Sequence, residues 1–242
     1  MSLSKNLLIL ALMLGVGACA TDLVPHPSQT SAQATGQNAA AAERALALAA
    51  GGDAAAGKLA YEVCSACHQP SGFGRRDGSY PKLAGQHSTV LIKQIADIRA
   101  RVRDNPSMHG FVMELRDPSD IANVAAYVEG LCIVPGNGRY SLPDAEEQIA
   151  RGRQMFARDC ADCHQAAGQG NKEKHYPVLA GQHYRYLLRQ MQDIRDGFRQ
   201  NSDPDMVKTI AKYKNDQLQS LSAFLASLET PGQPCETASA RK

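Results

Sequence analysis

The chain has 242 residues, a formal net charge of +2 and no tryptophan, and only 5% of its residues are aromatic. A length in this range fits one or two domains. The small net charge and the lack of a long basic run give no reason to expect a nucleic-acid partner. With so few large aromatic side chains, two small domains would have little material for their cores.

Residues 1–19 have the pattern of a signal peptide. Lys5 provides a positive charge, an apolar run from Leu7 to Val16 follows, and small residues precede Cys19. The apolar run is too short to cross a bilayer as a helix. The residues before Cys19 match a lipobox, which predicts lipidation of Cys19 and a membrane anchor at the N-terminus. The alternative is cleavage after the triplet Ala18-Cys19-Ala20, an A-x-A site, which would release a protein without an anchor.

The segment 20–52 is rich in Ala, Gln, Ser, Thr and Pro and has little patterned hydrophobicity. Such a composition buries too little apolar surface to order itself. We therefore expect a flexible tether between the anchor and the first domain.

The first domain is predicted at 53–134 and contains the motif Cys64-Ser65-Ala66-Cys67-His68. Two cysteines three residues apart share one face of a helical turn, so both sulfurs can form thioethers with the vinyl groups of one haem c. The adjacent histidine can then bind the iron. A structural zinc site or a redox dithiol is the alternative reading of such a cysteine pair.

Helix signals surround this motif. Asp53 is a suitable N-cap for a helix that leads into the motif, and apolar residues at helical spacing predict a second helix over about 87–103. A third helix is predicted to begin at Asp117 and Pro118. Proline and glycine residues within 135–143 indicate a linker.

A second domain, predicted at 144–230 and followed by a tail at 231–242, repeats the first. Its motif is Cys160-Ala161-Asp162-Cys163-His164, and nearly half of the residues in 64–103 are identical to those in 160–199 without a gap. A last helix is expected at about 216–228. Duplication of one haem-binding unit explains the repeat.

A methionine is the expected sixth ligand of each iron, because a thioether sulfur favours ferrous iron and closes the site to small ligands. In the second domain Met206 lies between the middle and last helices. Alignment of the two halves selects Met108 in the first domain over Met113. His109 is the alternative ligand, which would give a much lower potential.

The two motifs, the shared segments at 80–87 and 176–183 and the methionine positions closely resemble the cytochrome c4 family of two-haem electron carriers. The resemblance covers roughly residues 53–230. It implies an all-α fold of two tandem class I cytochrome c domains related by a pseudo-two-fold axis, with two covalently bound haem c groups.

The resemblance also implies roles for other residues. By similarity, the carbonyls of Pro81 and Pro177 accept the second ring proton of the two motif histidines. Arg99 and Arg195 resemble arginines that lie near haem propionates, although solvent-exposed helix charges are an alternative. The resemblance also implies that the first and last helices of each domain cross closely at a glycine with aromatic residues beside it. The residues are Gly57, Tyr61 and Tyr127 in the first domain and Gly152, Phe156 and Phe224 in the second.

Cys132 and Cys235 remain after the motif cysteines and Cys19 are assigned, and each lies just beyond the last helix of its domain. An exported protein resides in an oxidising compartment, so a disulfide between the halves is our hypothesis. Two free thiols are the alternative.

The family resemblance implies a periplasmic carrier of single electrons rather than an enzyme. The implied donor is a quinol–cytochrome c oxidoreductase, and the implied acceptor is a terminal oxidase or reductase. A two-haem peroxidase is an alternative that would need one iron with a displaceable or missing sixth ligand. Another is the haem subunit of a sulfide-oxidising flavoprotein or of an oxidase, which would copurify with its partner.

Overall fold

The computed structural model describes residues 27–236, and it describes side chains from residue 33 onward. This part of the chain is helical, with two isolated β-bridges and no extended strand. The prediction of an all-α fold is therefore confirmed. Cys19 and the signal peptide lie outside the described residues. Within the described residues, no helix is both long and apolar enough to cross a membrane.

Each half of the chain folds as a small helical unit. The helices of the first half are α2 (Ala54–Ala60), α3 (Glu62–His68), α4 (Ser88–Arg99), α5 (Pro106–Val112) and α6 (Pro118–Glu129). Those of the second half are α7 (Ala145–Asp159), α8 (Ala161–His164), α9 (Tyr184–Arg195), α10 (Pro204–Ile210) and α11 (Asn215–Ser227).

The predicted helix starts are present for the expected reasons. The Asp53 carboxylate accepts hydrogen bonds from the backbone N–H groups of Ala55 and Ala56, which α2 leaves without helical partners. Helix α6 begins with Pro118 directly after Asp117. A proline at the first helical position costs nothing, because the N–H that it lacks would have had no helical partner.

The first and last helices of each domain cross closely at a glycine. A Cβ atom added to Gly57 would collide with the backbone oxygen of Asn123 on α6, and one added to Gly152 would collide with that of Ser220 on α11. Aromatic pairs pack beside the crossings, with ring centroids 5.4 Å apart for Tyr61–Tyr127 and 5.5 Å apart for Phe156–Phe224. The crossings implied by the family resemblance are thus present in both halves.

Within the segment 20–52, which was expected to be a flexible tether, residues 27–50 form an ordered helix instead. Helix α1 (Pro27–Ala50) packs against α4 and α6 of the first domain, and its Ala40 and Ala47 side chains are buried. Glu43 forms an ion pair with Arg99 of α4 at 2.8 Å. The tether prediction is therefore wrong for the described part of 20–52. Alanine has the highest helix propensity, and its small side chain lets a helix lie close to its neighbours.

The C-terminal segment returns to the first domain. Cys132 and Cys235 form a disulfide. Beside it, the backbone N–H of Ile133 donates to the carbonyl of Gln233, and the carbonyl of Ile133 accepts from the N–H of Cys235. Asn137 of the predicted linker is buried and donates to the carbonyl of Ala226 at 2.7 Å. Both connections hold the two domains together as one body.

Candidate functional site

One cavity of about 1310 Å³ extends through both domains. It is larger than the roughly 300–1,000 Å³ of a typical ligand pocket. Each domain contributes the same kinds of side chain to its wall. Those from the first are Cys64, Cys67, His68 and Met108, and those from the second are Cys160, Cys163, His164 and Met206. The duplicated motifs therefore open into a shared interior.

The two motif histidines are held in one tautomer. The Nδ1 atom of His68 lies 3.1 Å from the carbonyl oxygen of Pro81, and that of His164 lies 3.3 Å from the oxygen of Pro177. A carbonyl oxygen can only accept, so Nδ1 must carry the proton and Nε2 keeps its lone pair. Burial lowers the pKa of both rings, which favours neutral imidazole. A neutral ring with a free Nε2 lone pair suits axial ligation of iron.

The cysteine pairs do not have the properties of a redox dithiol. Burial raises the pKa of the Cys64 and Cys160 thiols to about 11, whereas reactive dithiols depend on a lowered pKa. Among residues 27–236, no group of three or more His, Cys, Asp and Glu side chains is placed to hold a metal ion. This argues against a shared zinc site. The donor set fits a covalently attached haem better than either alternative.

The candidate methionines occupy equivalent positions in the two halves. Met108 and Met206 are each the third residue of a short helix that begins at Pro106 or Pro204. The side chain of Asn105 accepts a hydrogen bond from the backbone N–H of Met108 at 3.2 Å, which fixes the start of α5.

The alternative ligands of the first domain lie elsewhere. Met113 is 48% exposed, and neither Met113 nor His109 lines the cavity, whereas Met108 does. The position of Met108 therefore favours it over both alternatives.

Arg99 and Arg195 do not line the cavity, and both bind backbone carbonyls. The Arg99 guanidinium donates to the carbonyls of Val112 and Leu115, both at 2.6 Å. Arg195 similarly donates to the carbonyl of Tyr213 at 3.2 Å. These arginines donate to backbone carbonyls at or just after the C-terminal end of each methionine helix, where carbonyls lack helical partners. The role near haem propionates that the resemblance implied stays a prediction for both.

Two other arginines line the cavity at the domain boundary. Arg103 donates to the side-chain oxygens of Gln94 and Gln190, at 2.8 and 2.9 Å. Arg199 donates to the same two oxygens, at 3.2 Å to Gln94 and 2.8 Å to Gln190. Sequence reasoning missed this network. The sequence did carry a signal, because Gln94 is matched by Gln190 and Arg103 by Arg199 at equivalent positions of the two halves. Polar residues outside the apolar core have no need to be identical for packing alone.

The Gln-His pairs of the repeated segments also form the domain boundary. The side-chain amide of Gln182 pairs with both backbone groups of Lys82, accepting at 2.9 Å and donating at 2.8 Å. Gln86 pairs in the same way with the backbone of Val178, at 2.9 and 3.0 Å.

The neighbouring histidines add a second reciprocal contact across the boundary. The ring of His183 is 2.8 Å from the carbonyl of Phe73, and that of His87 is 2.9 Å from the carbonyl of Gln169. The segments that are identical in the two halves therefore make contacts across the domain boundary as well as contributing to the cavity.

The sequence matches the family model described as Cytochrome c over residues 54–131 and 149–229. Cytochrome c4 of Azotobacter vinelandii is 34% identical over 192 residues, which cover 74% of this chain and 90% of that protein. A protein of Stutzerimonas stutzeri named thiosulfate dehydrogenase electron acceptor is 29% identical over 175 residues, covering 69% of this chain and 79% of that one. The crystal structure of reduced recombinant cytochrome c4 from Pseudomonas stutzeri superposes with a TM-score of 0.65 and 31% identity, covering 74% of this chain and 100% of that chain.

Proposed function

Because the chain belongs to the cytochrome c4 family of two-haem electron carriers, we propose that it carries single electrons from a quinol-oxidising respiratory complex to a terminal oxidase or reductase. The family implies two covalently bound haem c groups, one for each domain. The observation that carries the proposal is the single cavity, which receives a histidine and a methionine from each half.

In this proposal the motif residues hold the haems. Cys64 and Cys67 attach the first haem through thioether bonds, and His68 and Met108 bind its iron. Cys160, Cys163, His164 and Met206 do the same for the second. When bound, each haem c supplies an iron that alternates between the ferric and ferrous states. Pro81 and Pro177 keep the histidine protons on Nδ1, so each Nε2 keeps the lone pair that would bind iron.

Six-coordinate iron distinguishes a carrier from a peroxidase. The sulfurs of Met108 and Met206 would occupy the positions where peroxide or carbon monoxide could bind, and electron transfer would need no bond to form or break. The residues of both candidate sites line one cavity, which supports this proposal. A donor can therefore dock at one domain and an acceptor at the other.

Two measurements on the purified two-haem protein test this function. A carbon monoxide difference spectrum should show little binding, and a spectroelectrochemical titration should show two high-potential one-electron waves. Met108→Ala and Met206→Ala should each remove the sulfur-to-iron charge-transfer band of one haem, while the matched Met113→Ala should leave both bands. Strong carbon monoxide binding by one haem of the unmodified protein would favour the peroxidase instead.

The physiological partners and location are part of the same proposal. The relative named thiosulfate dehydrogenase electron acceptor makes a sulfur-compound dehydrogenase a second candidate donor. Stopped-flow reduction by each purified donor would separate them.

We place the protein in the periplasm, anchored through lipidated Cys19. Mass spectrometry of the mature N-terminus should find an acylated Cys19, and an unmodified Thr21 start would contradict the anchor.

A further inference from the structure

In each domain, one peptide group connects the histidine of the Cys-x-x-Cys-His motif with the opposite domain. The carbonyl of Pro81 and the N–H of Lys82 belong to the same peptide plane. The carbonyl accepts from His68, and the N–H donates to the side-chain oxygen of Gln182 at 2.9 Å. A continuous chain of hydrogen bonds therefore runs from the imidazole of the first domain to a glutamine of the second.

The second domain contains the equivalent chain of hydrogen bonds. His164 lies 3.3 Å from the carbonyl of Pro177, and the N–H of Val178 in the same peptide donates to the side-chain oxygen of Gln86 at 2.9 Å. Each motif histidine is thus linked through a peptide to a glutamine of the opposite domain. The presence of the same arrangement in both domains makes a chance contact an unsatisfactory explanation.

The surroundings favour strong coupling along this chain. Lys82 and Gln182 are 5% and 8% exposed, so little water competes for their hydrogen bonds. The second arm of the Gln182 amide donates to the Lys82 carbonyl at 2.8 Å, and its oxygen also accepts from the His183 N–H at 3.0 Å. The glutamine is therefore fixed in its orientation. Hydrogen bonds in a chain polarise one another, most effectively at low dielectric.

We propose that Gln182 and Gln86 are positioning residues that set the electron-donating strength of the proximal histidine in the opposite domain. Gln182 polarises the Pro81–Lys82 peptide, which makes the Pro81 oxygen a better acceptor and gives His68 more imidazolate character. A more basic ligand stabilises ferric iron and lowers the potential. The inference rests on the proposed function, since it requires His68 and His164 to be axial ligands.

The expected effect is small but specific to one haem. Cooperative strengthening of about 10–30%, applied to a hydrogen bond between neutral groups, corresponds to roughly a 1.1- to 2-fold shift in the ferric–ferrous equilibrium. Gln182→Met, which keeps the volume and removes the acceptor, should shift the first haem towards the ferrous form by this factor. The second haem should change far less.

The experiment uses the intact two-haem protein and the mirror variant Gln86→Met as the matched control. Potentials of the individual haems are measured by titration followed with NMR, together with the ¹⁵N shift of the histidine Nδ1 in the ferrous state. Gln182→Met should move the potential and Nδ1 shift of the His68 haem, and Gln86→Met those of the His164 haem. Equal movement of both haems, or of neither, would overturn the proposal, because a loosened boundary has no reason to select the opposite domain.

If Gln182→Met does not assemble, Gln182→Glu keeps an acceptor oxygen and gives the opposite test. It should lower the potential of the first haem relative to the second, and an unchanged difference would equally overturn the proposal. The unmodified protein separates this failure from that of the proposed function. Absence of two six-coordinate haems with histidine ligands in its spectrum refutes the function, whereas normal haems with unresponsive potentials refute only the hydrogen-bond chain.

Discussion

Alanine at Gly57 or Gly152 should lower the free energy of unfolding, although both positions are helical. Alanine gains about 1 kcal/mol over glycine from helix propensity alone. The new Cβ, however, would collide with a backbone oxygen of the crossing helix, Asn123 in one domain and Ser220 in the other. Backbone atoms cannot move away independently of their helix, so the two helices would have to separate.

The magnitude follows from these opposed effects. A separation of about 1 Å forfeits roughly a quarter to a half of the dispersion energy of each facing atom pair, and overpacked sites usually cost about 1–3 kcal/mol. After the propensity gain is subtracted, we expect a net loss of up to about 2 kcal/mol for each variant. The loss should concern the domain that carries the substitution, because each crossing lies within one domain.

Urea unfolding of the two-haem protein, followed by circular dichroism and by haem absorbance, measures this loss. Gly110→Ala is the matched control, because Gly110 lies in helix α5 and an added Cβ there would meet nothing within 4 Å. It should be neutral or stabilising by up to about 1 kcal/mol. If Gly152→Ala were as stable as Gly110→Ala, the close crossing would not limit the fold and the reasoning would fail.

Three further predictions concern the contacts between elements. Replacing Cys132 and Cys235 by serine should lower the unfolding free energy by up to about 4.7 kcal/mol, the entropy estimate for a closed loop of about 100 residues. If reductant left the urea unfolding midpoint of the parent unchanged, this prediction would be wrong. Glu43→Gln should cost about 1 kcal/mol and speed hydrogen exchange in α1, because it breaks the ion pair with Arg99; unchanged exchange would argue against it. Burial lowers the pKa of Lys82 to about 8, so between that value and about 10.4 the unfolded chain binds more protons. The parent should therefore gain stability relative to Lys82→Met as pH rises through this window, and a constant difference would refute the assignment.

Local signals predicted the parts of the fold that depend on neighbouring residues. Asp53 and the Asp117-Pro118 pair marked helix starts because capping is decided within one turn. The position of Met108 followed from aligning the halves, and Met108 does line the cavity. Its coordination of iron remains a prediction. The two-domain plan itself was readable because the motif occurs twice.

Contacts between distant segments were not readable in this way. An alanine-rich stretch such as 27–50 has too weak an apolar pattern to indicate packing, and only the surface it meets explains its order. The hydrogen bonds from Arg99 to the carbonyls of Val112 and Leu115 were not predicted either, because sequence patterns do not fix the turn that supplies these carbonyls.

Differences between the halves are more informative than their identities. A residue identical in both copies, such as Gln86 and Gln182, can serve its own domain or the opposite one, and sequence comparison does not separate these cases. A residue that differs points to a neighbour that one domain has alone. Ala96 and Ala122 are buried on the helices that α1 covers, whereas Gln219, the counterpart of Ala122 in α11, is exposed. The first domain therefore carries a surface built for α1, and the second domain keeps a polar one because no helix of the described chain covers it.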